Sequence, residues 1–377
     1  MKKALIVFLF LILFNVTACY AIPSISAKSA IAIEASTGRI IYEKDANVKM
    51  PMASTTKIMT AIVALEQNLL TDNVVVSNNA AWTGGSSVDL KKDDEIELSE
   101  LMYGLMLNSG NDAAVAIAEH TSGTVEEFAK LMNEKAKEIG ALSTNFVTPH
   151  GLDSPEHYST AYDMAIIAKY ALNNPTIRKL VSTSHYTMKF KNGKTKQLSN
   201  TNPLLSFYEG ASGVKTGYTG LAGKCLVASA KRDDLEIIAV LLGDPSSKAR
   251  INDSVKILDY CFDNYKLYDL KELYPLNFSI VIKKGTKTSI KPIYESSFML
   301  PLTESEKNNL AVRKILKENI IAPIEINEPL GTIQFIIGND VIGEINILAP
   351  YTIERLSVLD YVKKIGSSYL NYQSYVN

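Results

Sequence analysis

Apolar positions change their spacing repeatedly along this chain, and each change predicts a different kind of element. From Ser29 to Tyr42, SAIAIEASTGRIIY, apolar residues alternate, Thr37-Gly38 supplies a turn, and an apolar run resumes. That pattern predicts a β-hairpin. In KIMTAIVALEQ, Ile58, Ala61, Ile62 and Leu65 recur at helical spacing, so Ser54 falls at or near a helix N-terminus. Helical spacing returns from Leu98 to Ala118, broken by Ser109-Gly110-Asn111, then from Val125 to Ile139 and from Tyr162 to Leu172. From Gly213 the pattern predicts three strands, with Arg232-Asp233-Asp234 as a turn, followed by a helix from Ala249 to Phe262. Strands at both ends of a helical middle meet in one sheet, which predicts an α+β domain.

Beyond about Asn264 the segments shorten. FSIVIKKG, TSIKPIY, APIEI, GTIQFIIG and VIGEINILA alternate and are separated by turn residues. They predict a small all-β domain over residues 274–350, after a first domain over 22–270. The tail, 352–377, returns to helical spacing. There Ile353, Leu356, Leu359, Val362 and Ile365 can share one face, with Arg355, Asp360, Lys363 and Lys364 elsewhere. Such a stripe suits a membrane surface or the chain's own core equally well.

Composition narrows the function classes. The 377 residues are 46% apolar and 21% charged, with a formal net charge of −1. This balance is ordinary for a globular protein and gives no support for nucleic-acid binding. The first 21 residues, MKKALIVFLFLILFNVTACYA, carry two lysines, an apolar run from Ala4 to Phe14 and then small residues. They predict a secretory signal peptide cleaved after Ala21, hence an exported protein. Val16-Thr17-Ala18-Cys19 also resembles a lipobox, in which Cys19 would carry lipid. Cys225 and Cys261 have apolar neighbours and are expected as buried small hydrophobes. Four histidines without a HExxH or CxxC pattern argue against a metal site.

The chemistry centres on ASTTKIMT, residues 53–60. A serine hydroxyl is a weak nucleophile until a base takes its proton. Residues three apart on a helix face the same way, so Ser54 and Lys57 can touch. Burial disfavours the charged form of a lysine, and a second cation nearby acts in the same direction. A neutral Lys57 can then serve as general base toward Ser54.

Ser-x-x-Lys alone is a weak signal, and Ser212-Gly213-Val214-Lys215 matches it too. Order and setting strengthen it. Ser54-x-x-Lys57 starts a helix, Ser109-Gly110-Asn111 sits between two apolar helices, and Lys215-Thr216-Gly217 is expected to begin a strand. The signature of penicillin-binding proteins and class A β-lactamases is Ser-x-x-Lys, Ser-Asp-Asn and Lys-Thr-Gly; the first and third are intact here and the second stands as its Ser-Gly-Asn variant, in the same order. With the flanking stretches PMASTTKIMTA, LMLNSGNDAAVAIAE, FVTPHGLD and GVKTGYTGLAGKCLVASA, the chain resembles the low-molecular-weight penicillin-binding proteins, the serine-type D-alanyl-D-alanine carboxypeptidases, over essentially its whole length.

The resemblance implies a penicillin-binding/β-lactamase-like domain with an antiparallel sheet and helices, a small β-domain and a membrane-associated tail. It implies Ser54 as nucleophile and Lys57 as base, with Ser109 and Asn111 on the other side of the cleft. Lys215, Thr216 and Gly217 would meet the substrate's terminal carboxylate. The oxyanion hole would be the amide of Ser54 and one just after the third motif, Tyr218 or Thr219. The implied substrate is a peptidoglycan stem peptide ending in D-Ala-D-Ala, with β-lactams as covalent inhibitors and no cofactor. Position 218 is tyrosine where many such enzymes carry histidine. A β-lactamase is disfavoured, because no Glu-x-x-Leu-Asn segment follows Ser109-Gly110-Asn111. An endopeptidase on the same scaffold, or a β-lactam sensor without turnover, would share the motifs. His150 and Asp153 are expected as scaffold near the cleft, His157 and His185 at the surface, and Trp82 in ordinary packing.

Overall fold

Along Leu235–Asp244 every residue is buried, yet successive side chains enter different cores. A computed structural model describes residues 22–363, 365 and 366, and in it Ile238, Val240 and Leu242 face one apolar cluster while Ile237, Ala239 and Leu241 face another. The two-residue period of a strand sends alternate side chains to opposite faces of a sheet. A strand buried on both sides therefore reads as a near-continuous apolar run, here Ile237–Leu242.

That strand is the centre of a five-stranded antiparallel sheet. Its members are β1 (Ser29–Glu34), β2 (Ile40–Lys44), β3 (Ala211–Thr219), β4 (Gly223–Arg232) and β5 (Leu235–Asp244), in the order β2-β1-β5-β4-β3. The two ends of the sequence pattern thus meet in one sheet, as the α+β reading requires. Lys215-Thr216-Gly217 lies in the second half of β3 and does not begin it. Among the described residues no further strand pairs with β3 on its outer side, which leaves that edge of the sheet open.

One face carries the helical layer: α1 (Lys57–Gln67), α2 (Leu98–Met106), α3 (Asn111–Ser122), α4 (Val125–Glu138) and α5 (Ala161–Leu172). Helix α1 packs against all four of the others, and its residues from Lys57 to Ala64 are all buried. A helix apolar on every side belongs in the centre of a layer. Full burial of each Ile, Met or Val there stabilises by about 1.5–3 kcal/mol. The opposite face of the sheet is covered by α6 (Ser247–Asn264) through Ile257, Leu258 and Cys261. Cys225 faces the helical layer and Cys261 the other core, so the two free thiols lie on opposite sides of the sheet.

The second lobe is all-β apart from short helices. Ile293–Tyr294, Asp340–Leu348, Pro329–Ile337 and Ala311–Leu316 form a four-stranded antiparallel sheet in that order. Its core includes Leu270, Ile282, Leu300, Ile333, Phe335 and Ile347. Lys266–Asp269, which the sequence pattern did not flag, pairs with Met299–Leu302. Arg39, in the β1–β2 turn, forms an ion pair with Glu306 at 2.5 Å and donates to the Pro301 carbonyl, joining the lobes.

The tail becomes helical later than its spacing predicts. Ile353 is 1% exposed and pairs with Ile324 in a β-bridge, and Arg355 bridges Gly285. The described helix starts at residue 358, so Ile353 belongs to the core of the second lobe and not to the apolar stripe. Val358, Leu359, Val362 and Ile365 are all exposed. No described helix is long and apolar enough to cross a membrane. The expected signal peptide, Cys19 and residues 367–377 lie outside the described residues.

Candidate active site

Residues Ala53–Thr56 form a single 3₁₀ turn that runs directly into α1. Ala53 has φ +50°, a left-handed conformation that costs a non-glycine residue about 1–3 kcal/mol. Neighbouring threonines hold the turn. Thr55 Oγ1 donates to the Met52 carbonyl at 2.7 Å, Thr56 Oγ1 to the Ala53 carbonyl at 2.8 Å, and Thr60 Oγ1 to the Pro149 carbonyl at 2.6 Å. Ser54 is left half-buried between buried neighbours.

His157 closes this network from behind. The Val147 amide donates to its Nδ1 at 3.0 Å, so Nε2 carries the proton and donates to Thr56 Oγ1 at 2.8 Å. The expected surface position is therefore wrong: His157 is 3% exposed. Burial pushes its pKa down to about 4, against an opposing pull from Asp153. His185 is exposed, as expected.

Lys57 opens α1 and has no solvent exposure at all. Its Nζ lies 2.9 Å from Ser54 Oγ, 2.7 Å from Asn111 Oδ1 and 2.9 Å from the His150 carbonyl. Burial, then the charge of Lys215, drives its pKa well below the ordinary lysine value, against an opposing pull from Asp112. Gly151 (φ +85°) allows the close approach, because a Cβ there would stand 1.9 Å from the Ala53 carbonyl oxygen.

Asn111 is the first residue of α3, and its orientation is fixed. Its Nδ2 donates to the Gly84 carbonyl at 2.7 Å, which turns Oδ1 toward Lys57. Asp112 holds the adjoining loop, accepting from Ser87 Oγ at 2.6 Å and from the amides of Val88 and Leu90. Ser109 is 6% exposed with φ +60°, so the bend between α2 and α3 is carried by a strained serine.

Strand β3 supplies the other wall. Lys215 is fully buried, and burial together with the charge of Arg250 brings its pKa down to about 7. Thr216 Oγ1 is 2.6 Å from Thr201 Oγ1. Gly217 packs on the nucleophile turn, where a Cβ would come within 3.0 Å of the Ser54 nitrogen and the Met52 carbonyl oxygen. Tyr218 is 60% exposed, with Lys224 Nζ 3.3 Å from its ring centroid. Thr219 Oγ1 donates to Asp153 Oδ1 at 2.5 Å.

The structure thus brings Ser54, Lys57 and Asn111 into direct hydrogen-bond contact. It sets Lys215 within electrostatic reach of Lys57 and seats Gly217 on the backbone of the nucleophile turn. Thr201 and Arg250 also belong here, and the sequence pattern gave no sign of either: Thr201 lies in a loop and Arg250 on an amphipathic helix. Arg250 Nη1 donates to the Cys225 carbonyl at 3.3 Å. His150 is 8% exposed and contributes its carbonyl, while burial pushes its ring pKa down to about 3. Trp82 is 81% exposed, which overturns the expected packing role. Among the described residues no group of three or more His, Cys, Asp or Glu is placed to hold a metal ion.

A serine hydroxyl on a helix-initiating turn, a buried depressed lysine against it and an open strand edge alongside define a serine acyl-transfer enzyme. The family model described as D-alanyl-D-alanine carboxypeptidase matches residues 16–246, and that of the penicillin-binding protein 5 C-terminal domain matches residues 262–355. D-alanyl-D-alanine carboxypeptidase DacF of Bacillus subtilis is 38% identical over 344 residues, covering 90% of this chain and 88% of its own. DacC of Escherichia coli is 33% identical over 346 residues, with 86% and 85% covered. The crystal structure of penicillin-binding protein 5 from Haemophilus influenzae superposes with a TM-score of 0.78 at 28% identity, covering 88% of this chain and 99% of that one. The chain belongs to the D-alanyl-D-alanine carboxypeptidases, the low-molecular-weight penicillin-binding proteins, and is a serine peptidase of that activity.

Proposed function

We propose that Ser54 is the nucleophile and neutral Lys57 its base. One observation supports this most directly: two of the three oxygens around Lys57 Nζ, Asn111 Oδ1 and the His150 carbonyl, can only accept hydrogen bonds. A neutral amine has two N–H groups. Both are used by those acceptors, which leaves the nitrogen lone pair facing the Ser54 hydroxyl at 2.9 Å.

The reaction follows. Ser54 Oγ attacks the carbonyl carbon of the penultimate D-alanine as its proton passes to Lys57 Nζ. The C–N bond breaks, the proton leaves with the amine of the terminal D-alanine, and water hydrolyses the acyl-enzyme. The Ser54 amide and that of Tyr218 or Thr219 would hold the developing oxyanion, and the absence of a side chain at Gly217 keeps the Ser54 N–H uncovered. Lys215 and Thr216 would take the terminal carboxylate, with Thr201 orienting the Thr216 hydroxyl and Arg250 adding positive charge. Ser109 and Asn111 would complete the opposite wall. A β-lactam would acylate Ser54 in the same way. No cofactor enters this scheme.

We further infer that the chain is exported, that its substrate is a peptidoglycan stem peptide ending in D-Ala-D-Ala, and that the exposed stripe of Val358, Leu359, Val362 and Ile365 rests on a membrane surface. The test is D-alanine release from a diacyl-Lys-D-Ala-D-Ala peptide, with Ser54→Ala as control. Repeated turnover that is lost in the control is the expected result. Penicillin labelling of Ser54 without any release would overturn the carboxypeptidase reading, in favour of a sensor or, if a cross-linked peptide is cut, an endopeptidase.

A further inference from the structure

We propose that Asp153 is a positioning residue that ties the substrate-bearing edge of β3 to the short loop holding the base. This rests on the reading of Ser54, Lys57 and Thr219 given above.

Residues 150–153 touch three parts of the site at once. The His150 carbonyl accepts from Lys57 Nζ at 2.9 Å. Gly151 lies against the Ala53 carbonyl, immediately before the nucleophile. Asp153 then reaches the far end of β3, where Oδ1 accepts from Thr219 Oγ1 at 2.5 Å and Oδ2 from the Leu221 amide at 3.3 Å. Thr219 Oγ1 in turn accepts from the Ala222 amide at 3.1 Å. One carboxylate therefore holds both the last residue of β3 and the turn into β4.

The loop is itself rigid. The Leu152 amide donates to His150 Nδ1 at 3.2 Å, and His157 Nδ1 anchors the Val147 amide. Leu152 reaches toward the third wall, its Cδ2 3.8 Å from where a Cβ on Gly85 would stand, beside Asn111. Besides the direct packing of Gly217 on the Ser54 turn, a short loop ties that turn to the end of β3 through a single side chain. Strand β3 is held by β4 on one side, but an edge strand has no neighbour on its outer side to fix it. Asp153 supplies that restraint at the point where β3 turns away from the cleft. Because Asp153 is exposed, its substitution removes the restraint without opening a hole in the core.

The experiment compares Asp153→Asn and Asp153→Ala with the parent, using peptide turnover, the rate of Ser54 acylation by benzylpenicillin, and Tm. Displacement of a reacting group by about 1 Å costs on the order of 100-fold. The expected result is a graded loss in kcat/KM and in acylation rate, about 10- to 100-fold for alanine and smaller for asparagine. Asparagine keeps an acceptor for Thr219 and loses the one for Leu221. KM for the peptide rises as the edge loosens, while Tm stays within about 2 °C of the parent, as for a surface change. An alanine variant with parental acylation and turnover overturns the proposal, and so does a Tm that falls in step with activity. Acylation of the parent at Ser54 tests the underlying reading separately, before either variant is made.

Discussion

Asn111 Oδ1 stands 2.7 Å from Lys57 Nζ, and the Asn111 amide cannot turn over, because its Nδ2 is engaged by the Gly84 carbonyl. The contact is neutral, and its neutrality is what the chemistry needs. A carboxylate in the same place would hold the ammonium charged. Asn111→Asp is therefore expected to lower kcat/KM at neutral pH by about 100-fold or more, with partial recovery as the pH is raised. A pH–rate profile of the variant checks this; an acid limb unmoved from the parent's would contradict it.

Lys215 carries the second prediction. Its pKa is brought down to about 7, so in the free enzyme it is protonated below that value and loses its charge above it. A site that binds a carboxylate through Lys215 should weaken as pH rises through this window, while neutral Lys57 is favoured in the same direction. KM for the peptide should climb between about pH 6 and 8, and Lys215→Met should abolish the climb.

The two buried lysines also link stability to pH. Their folded pKa values lie below the unfolded value, so between the two the unfolded chain binds more protons. For Lys215, stability should then rise with pH above about 7, by up to ~1.4 kcal/mol per pH unit, and Lys57 acts in the same direction. Denaturant melts of the parent against Lys215→Met should show a shallower slope in the variant.

His157 gives the opposite edge of the range. Its folded pKa of about 4 lies below the ordinary histidine value, so its stabilising contribution is intact above that ordinary value and is lost as pH falls toward 4. His157→Ala leaves the Val147 amide and Thr56 hydroxyl without their partner. It should cost about 1–3 kcal/mol at pH 7 and remove part of the acid sensitivity, as urea melts at pH 5 and 7 would record.

Two glycines should fail in different ways. Gly217→Ala places a methyl 3.0 Å from the Ser54 nitrogen and should suppress acylation with little change in Tm. Gly151→Ala meets the Ala53 carbonyl at 1.9 Å from a φ of +85° and should instead destabilise the protein by 2 kcal/mol or more, roughly the cost of forced backbone strain. Thermal melts read beside penicillin labelling separate the two.

Much of this arrangement was legible in the sequence, and the limits have physical causes. The apolar runs of β4 and β5 and the helical period of α1 announced their elements, because each buries many apolar side chains. Ser54 and Lys57 were found because a three-residue spacing at a helix start places side chains predictably, and Asn111 through the resemblance that the three motifs carry. Thr201 and Arg250 were not found, since their proximity to β3 arises only from tertiary packing. His157 was misplaced because a histidine in a polar loop carries no local mark of the two hydrogen bonds that bury it. Lys266–Asp269 was missed because four residues are too few to show a period. The start of the tail helix was misjudged because Ile353 fits a helical stripe and a strand alike.

The burial of Ile353 has a practical bearing on how far the chain can be shortened from its C-terminal side. Up to Leu356, whose amide donates to the Lys284 carbonyl, the backbone is committed to the second lobe. A protease trimming inward from the C-terminus should stall near Ser357 and shed an intact catalytic fragment, whereas a recombinant boundary placed at Pro350 would strip an apolar plug from the lobe and yield an aggregation-prone product.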